Sequence, residues 1–437
     1  MKKSVLLVVA LLVSSFSFSQ DERLTKIDEF LSYLFENDKF MGSLVIRKGD
    51  SLIFKEAYGF YEANRGLRAN GNTKYKIGSV TKTFTATMIM QLVEAKRLRL
   101  ETRISRFFPK IAMASYISIN DLLQQRSGIM DYVNADETFK EKLITGESQE
   151  DLLERIADYD AIFEPGTKHM YSNTNYYLLG CIIENITKKS YAENLKELIV
   201  DKIGLKNTYY TTEKTDVSKR ESYSYLYNGS TWEQFPEWDN SVAFASGGII
   251  STPDDLSLFI SSLFSGKLVS PASLDQMKKI KDGYGMGLMQ FPFGERRFFG
   301  HNGKIENFNA VVGYYPKEKL SIALISNADV YNQNDIMLGI LSMYYKMPFP
   351  FPEFTKLDPD EIKPLLGVYN SDDLPLQIVI KEKNGELIAQ ATGQPPFPLT
   401  YFKDTTFVFQ SAGVEITFGL DSFVLKQAGM KYKYTKN

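Results

Sequence analysis

The run Met347-Pro348-Phe349-Pro350-Phe351-Pro352 constrains this chain more than any other feature. Its three prolines remove backbone N–H groups and fix φ, so neither a helix nor a central strand can cross it. The chain must therefore divide here. Residues 347–357 read as a semi-rigid linker between a larger body, 20–346, and a smaller one, 358–437.

The two bodies carry different hydrophobic periods. Beyond the prolines, strand-length runs at 366–369, 376–380, 387–391, 407–410, 414–418, 423–426 and 430–434 follow one another closely, with a hairpin signal at Asn384-Gly385. This predicts a small all-β barrel or sandwich of seven or eight strands. Before them, helical and strand patterns alternate. Leu24, Ile27, Leu31, Leu34 and Phe35 give a helix over 21–37. Residues 43–47 and 51–55 flank Lys48-Gly49-Asp50 as a hairpin. Ser118-x-x-Asp121 opens a short helix that Gly128 ends, and Ser148 opens another to about residue 159. A long apolar helix runs to Ile186, and Thr252-Pro253 starts one with an N-cap and proline at N1. Residues 284–290, 296–299, 307–315 and 320–326 read as successive antiparallel strands, and 336–345 as a closing helix. Residues 213–244 show no sustained period and read as a long loop with a short hairpin, of the kind that borders a cleft.

Lys2 and Lys3 followed by an apolar run over 5–13 resemble a secretory leader, with cleavage before Gln20 after Ser17-Phe18-Ser19. That run is too short to span a bilayer. The expectation is an exported protein, periplasmic or secreted, with no membrane span. Cys181 is the single cysteine and lies in an apolar run, so no disulfide framework exists and plain core is expected. With two histidines, no Cys/His cluster and a net charge of −2, neither a zinc site nor nucleic-acid binding is expected.

Three short motifs carry chemistry. Gly78-Ser79-Val80-Thr81-Lys82-Thr83 lies between an extended run, 75–77, and a helix over 83–96. Residues three apart share a helix face, and a helix N-terminus supplies free N–H groups and a positive potential. Ser79 is then a nucleophile if a neighbour takes its proton. Lys82 can do so if burial lowers its pKa, or can stay charged and depress that of a second base. The plain alternative is an N-cap serine beside a surface lysine. Tyr-x-Asn occurs twice, at Tyr132-Val133-Asn134 and Tyr171-Ser172-Asn173. A phenol becomes a base only if cations hold it as phenolate, which asks for a lysine beside it. His301-Asn302-Gly303 opens the 307–315 strand region. A small residue there lets a substrate lie along the strand, and the Lys304 N–H can complete an oxyanion hole with that of Ser79. Lys281-Asp282-Gly283 and Lys383-Asn384-Gly385 share the basic-x-Gly pattern but read as turns.

In this order the motifs make the chain similar to the serine β-lactamase and penicillin-binding superfamily. It lies nearest the branch of class C β-lactamases, D-alanyl-D-alanine carboxypeptidases and related esterases. The resemblance spans about 40–345 and includes Leu122–Ile129 and Ala245-Ser246-Gly247-Gly248. Pro165-Gly166-Thr167 before Tyr171 favours that tyrosine over Tyr132. The resemblance implies an α/β (α+β) fold with an antiparallel sheet flanked by helices. The 389–397 stretch resembles the lipocalin-like domain that follows it in some relatives. It also implies a covalent acyl-serine: Ser79 attacks, Lys82 and Tyr171 share the base role, Asn173 and Gly303 place substrate, and His301 orients Tyr171 or the leaving group. No cofactor is implied. The partner is a peptide or small-molecule amide or ester, with oligomeric state left open. β-Lactamase proper and a catalytically silent binding protein are the alternatives. Two departures stand out. A glutamine replaces the family's common histidine at 124 or 125, which implies a change in packing only. His-Asn-Gly replaces Lys-Thr-Gly, which implies weaker recognition of a substrate carboxylate. An α/β-hydrolase would want Gly-x-Ser-x-Gly, and that pentapeptide does not occur.

Overall fold

The computed structural model describes residues 21–135, 139–328, 330–354, 358–383, 385–394, 396–409 and 412–437. The expected leader and its cleavage point, part of the linker, Asn384 of the hairpin signal and Pro395 lie outside these residues.

Helix α1 (Glu22–Glu36) is capped by Asp21 and leads to strands β1 (Gly42–Lys48) and β2 (Ser51–Tyr58). Further on come α2 (Thr81–Glu94), α3 (Asn173–Thr187), α4 (Asn240–Gly247) and α5 (Pro253–Phe264). Strands β3 (Met289–Phe293), β4 (Arg296–Ile305), β5 (Phe308–Tyr315) and β6 (Leu320–Ser326) precede α6 (Gln333–Tyr344). The six strands form one antiparallel sheet in the order β3-β4-β5-β6-β1-β2. Strand β6 explains its own sequence. Leu320, Ile322 and Leu324 pack under α1 and α6, while Ala323 and Ile325 face the larger core that contains α2, α3 and α5. Alternate residues of a strand face opposite sides, so a strand covered on both reads as an unbroken apolar run.

The second body is a closed eight-stranded barrel, β7 (Gly367–Asn370) to β14 (Met430–Lys436). The strand expected least is Phe397–Lys403, because Pro398 breaks its apolar run. Residues 347–354 do not behave as a free spacer. Phe349 and Phe351 pack on Phe30, Phe354 stacks on Tyr33, and the Tyr33 hydroxyl donates to the Pro352 carbonyl at 2.9 Å. The barrel touches the larger body through the 3.0 Å Lys39–Glu386 ion pair and through Ile388 against Gly229. Among the described residues no helix is long and apolar enough to cross a membrane.

Three local expectations change. Residues 285–288 bend rather than extend the strand, with Gly287 at φ +66, and Tyr284 keeps only isolated bridges to Lys281 and Met289. The helix after Ser118 closes at Leu123, and Gln125 takes the left-handed backbone there at φ +60. The 213–244 segment holds the short hairpin expected there, Tyr225–Tyr227 with Trp232–Gln234, but its last residues already form the start of α4.

Candidate active site

Ser79 sits in a 3₁₀ turn, Gly78–Val80, that runs straight into α2. The turn lies against the end of β4 through two glycines. A Cβ on Gly78 would stand 2.9 Å from the Lys304 backbone, and one on Gly303 would stand 2.2 Å from the Ile77 carbonyl and 2.8 Å from Ser79 N. Both neighbours are backbone and cannot yield. Gly303→Ala is therefore expected to push the Ser79 turn off the strand and lower kcat/KM by at least about 100-fold; steady-state kinetics on a soluble, folded variant checks it.

Lys82 is fully buried, and its ammonium end meets three acceptors: Ser79 Oγ at 2.9 Å, Asn173 Oδ1 at 2.8 Å and the Ser246 carbonyl at 2.7 Å. Burial pulls its pKa down to about 7, against the smaller opposing pull of Asp131. The geometry also fixes where the lone pair of the neutral amine points. A carbonyl cannot donate, so Asn173 and Ser246 each keep an N–H, and the remaining direction is toward the Ser79 hydroxyl. The Asn173 amide has one workable orientation as well. Its Nδ2 donates to Asp131 Oδ2 at 3.2 Å and its backbone N–H to Asp131 Oδ1 at 3.0 Å, which leaves Oδ1 for Lys82.

The Tyr171 ring lies 4.8 Å from Lys82 Nζ, close enough for cation–π attraction. Burial pushes its phenol well above the ordinary tyrosine value, with a hydrogen bond to Ser79 opposing. That shift favours the neutral phenol at rest. His301 is buried, and its Nδ1–H donates to the Asn302 carbonyl. Its Nε2 therefore accepts from the Tyr284 hydroxyl at 3.1 Å. Burial, then the Lys82 charge, lowers its pKa to about 3, so it is neutral. Its ring stands 6.4 Å from that of Tyr171. The motif belongs to the end of β4 rather than to the start of the next strand. Strand alternation puts His301 and Gly303 on the Ser79 side and turns Asn302 to the opposite face, where it borders a groove with Phe298, Val311 and Leu341; Lys304 borders both this groove and the cleft in front of Ser79. The Asn302 amide thus does not stand where it would meet a substrate at Ser79.

The cleft in front of Ser79 encloses about 150 Å³. Tyr171, Asn173, Ser246 and Lys304 border it, with Val133, Leu143, Trp238, Val242 and Ile305 as an apolar wall. His301 is not among its lining residues. Several members carry no motif of their own. Asp131 holds Asn173. Tyr284 touches His301 and packs edge-on to Tyr171 at 5.9 Å. Gln125 accepts from Ser172 N–H at 3.1 Å and so fixes the turn into Asn173, which is more than packing. The rival motif turns out to be scaffold for the same site: the Tyr132 hydroxyl donates to the Val242 carbonyl, and Asn134 Nδ2 donates to Asp131 at 2.6 Å. The recurrence of Tyr-x-Asn was the one sequence signal pointing there.

A family model described as Beta-lactamase matches residues 38–341. Teichoic acid D-alanine hydrolase of Staphylococcus aureus (strain NCTC 8325 / PS 47) is 27% identical over 327 residues, 72% of this chain and 76% of that protein. Protein flp of Staphylococcus aureus (strain MW2) is 26% identical across 69% of this chain, and the match spans 62% of its own length. The crystal structure of D-amino acid amidase from Ochrobactrum anthropi SV3 complexed with L-phenylalanine superposes with a TM-score of 0.65 at 25% identity. It covers 74% of this chain and 98% of the amidase.

Proposed function

The chain belongs to the Beta-lactamase family, and from that premise we propose that it is an exported serine hydrolase that works through a covalent acyl-Ser79 intermediate. Its substrates are amides or esters of small acyl groups, D-aminoacyl groups among them. The observation that carries this reading is the fully buried Lys82 amine, whose lone pair has Ser79 Oγ as its one open direction at 2.9 Å.

In the acylation step Ser79 Oγ bonds to the substrate carbonyl carbon as its proton passes to Lys82 Nζ. The backbone N–H groups of Ser79 and Lys304 hold the oxyanion. Collapse breaks the bond to the leaving group, which takes the proton from Lys82 through the Tyr171 hydroxyl. Water then attacks the ester, its proton leaving by the same pair and returning to Ser79. Lys82 and Tyr171 titrate as a unit; in the resting unit the lowered lysine and the raised phenol favour neutral Lys82 as acceptor and neutral Tyr171 as donor. The D-aminoacyl preference draws on the relatives named D-alanine hydrolase and D-amino acid amidase. Esters and amides are favoured over β-lactams and terminal carboxylates by the apolar cleft wall, the neutral, recessed His301 and the turned-away Asn302. Export rests on the leader-like residues 1–19.

A panel of D-alanine and D-phenylalanine amides, short-chain p-nitrophenyl esters, a D-Ala-D-Ala peptide and nitrocefin tests this. The expected result is turnover of amides or esters at least about tenfold above nitrocefin in kcat/KM. Turnover confined to nitrocefin or the dipeptide terminus would overturn the substrate assignment.

A further inference from the structure

Two buried charges that no step of this reaction uses flank it in sequence. Lys76 lies three residues before Ser79, and Glu306 two residues after Lys304. Each is 6% exposed. Lys76 Nζ stands 2.6 Å from Glu306 Oε1, which also accepts the Trp238 N–H at 2.9 Å. Lys76 Nζ donates in addition to the Trp238 carbonyl at 3.2 Å, and Ser224 Oγ donates to Glu306 Oε2 at 3.1 Å. Both polar backbone groups of Trp238 therefore end on one ion pair. Trp238 lies between the Trp232–Gln234 strand and α4, where no ladder fixes it, and it borders the cleft together with Ile305, the neighbour of Glu306.

Burying an ion pair is a weak way to stabilise a fold, because desolvation cancels much of the attraction, and fixed geometry is what such a pair can supply. We propose that Lys76 and Glu306 are positioning residues that hold Trp238 at a set distance from the Ser79–Lys304 edge, and so limit the apolar group the cleft admits. The size limit rests on the acyl-serine reading above; the positioning of Trp238 does not.

Removing one partner alone strands a buried charge and risks unfolding, so the test uses Lys76→Met/Glu306→Met, which removes both. The chain has two tryptophans, Trp232 and Trp238. In a Trp232→Phe background, emission reports Trp238 alone. With the double variant folded by circular dichroism, acrylamide quenching of Trp238 is expected to rise at least about twofold. KM for a p-nitrophenyl ester of a bulky acyl group is expected to rise about tenfold while kcat stays within about threefold. Unchanged quenching would overturn the clamp. Raised quenching with unchanged KM, or kcat falling alone in step with the folded fraction, would overturn its control of size. If the parent protein hydrolyses no member of the panel, the acyl-serine reading fails, and quenching still decides the clamp.

Discussion

Replacing Lys82 by methionine is expected to lower kcat/KM for an activated ester by at least about 1,000-fold, the upper part of what a positioned base contributes. The variant should stay folded. Methionine is of similar length and has no charge to desolvate, although two buried acceptors, the Ser246 carbonyl and Asn173 Oδ1, lose their donor at about 1–3 kcal/mol each. The pH profile adds a second reading. Lys82 accepts a proton only when neutral, and with a pKa near 7 it is mostly charged below that pH. The parent rate should therefore fall tenfold per pH unit below about pH 7 in kcat/KM, which reports the free enzyme. That limb should vanish from the residual activity of Lys82→Met. A limb set by His301 would lie near its value of about 3, far enough away to be told apart.

The other large effect is expected at the nucleophile. Ser79→Ala removes one oxygen from a partly exposed position and leaves the cleft wall, the backbone donors and Lys82 in place. A loss of about 10⁵-fold in kcat is expected, with substrate binding retained. Residues that act as a unit lose function together, so Ser79→Ala/Lys82→Met should be no worse than Ser79→Ala alone within about threefold. A further large loss in the double variant would mean that Lys82 serves some other nucleophile. Stopped-flow and steady-state assays on the three variants decide it.

How far the sequence carried this account depends on whether a feature is local. Caps and hairpins are: Thr252 before Pro253 and the turn at Lys48-Gly49-Asp50 lie where their side-chain and φ preferences put them. Period is local too, which is why α1, β6 and seven of the eight barrel strands were legible. The eighth was not, because Pro398 is tolerated there by its place in the barrel ladder rather than by any preference of its own segment. At the site, Ser79 and Lys82 are neighbours on one turn and could be paired in advance. The third acceptor of Lys82, the Ser246 carbonyl, could not, since every residue carries one and only the kinked backbone at Phe244 presents it. The facing of Asn302 depends on strand phase, and the phase is settled by Gly303 pressing on Ile77 and Ser79, a contact across more than two hundred residues. Asp131 and Gln125 act through the backbone of 172–173, where no motif records them.

The central claim is that Ser79 carries the acyl group, and intact-protein mass spectrometry after brief exposure to a fluorophosphonate tests it most directly. One adduct is expected on the parent chain, mapped to the peptide containing Ser79, with slower labelling in Lys82→Met and none in Ser79→Ala. An adduct that persists unchanged in Ser79→Ala would contradict it.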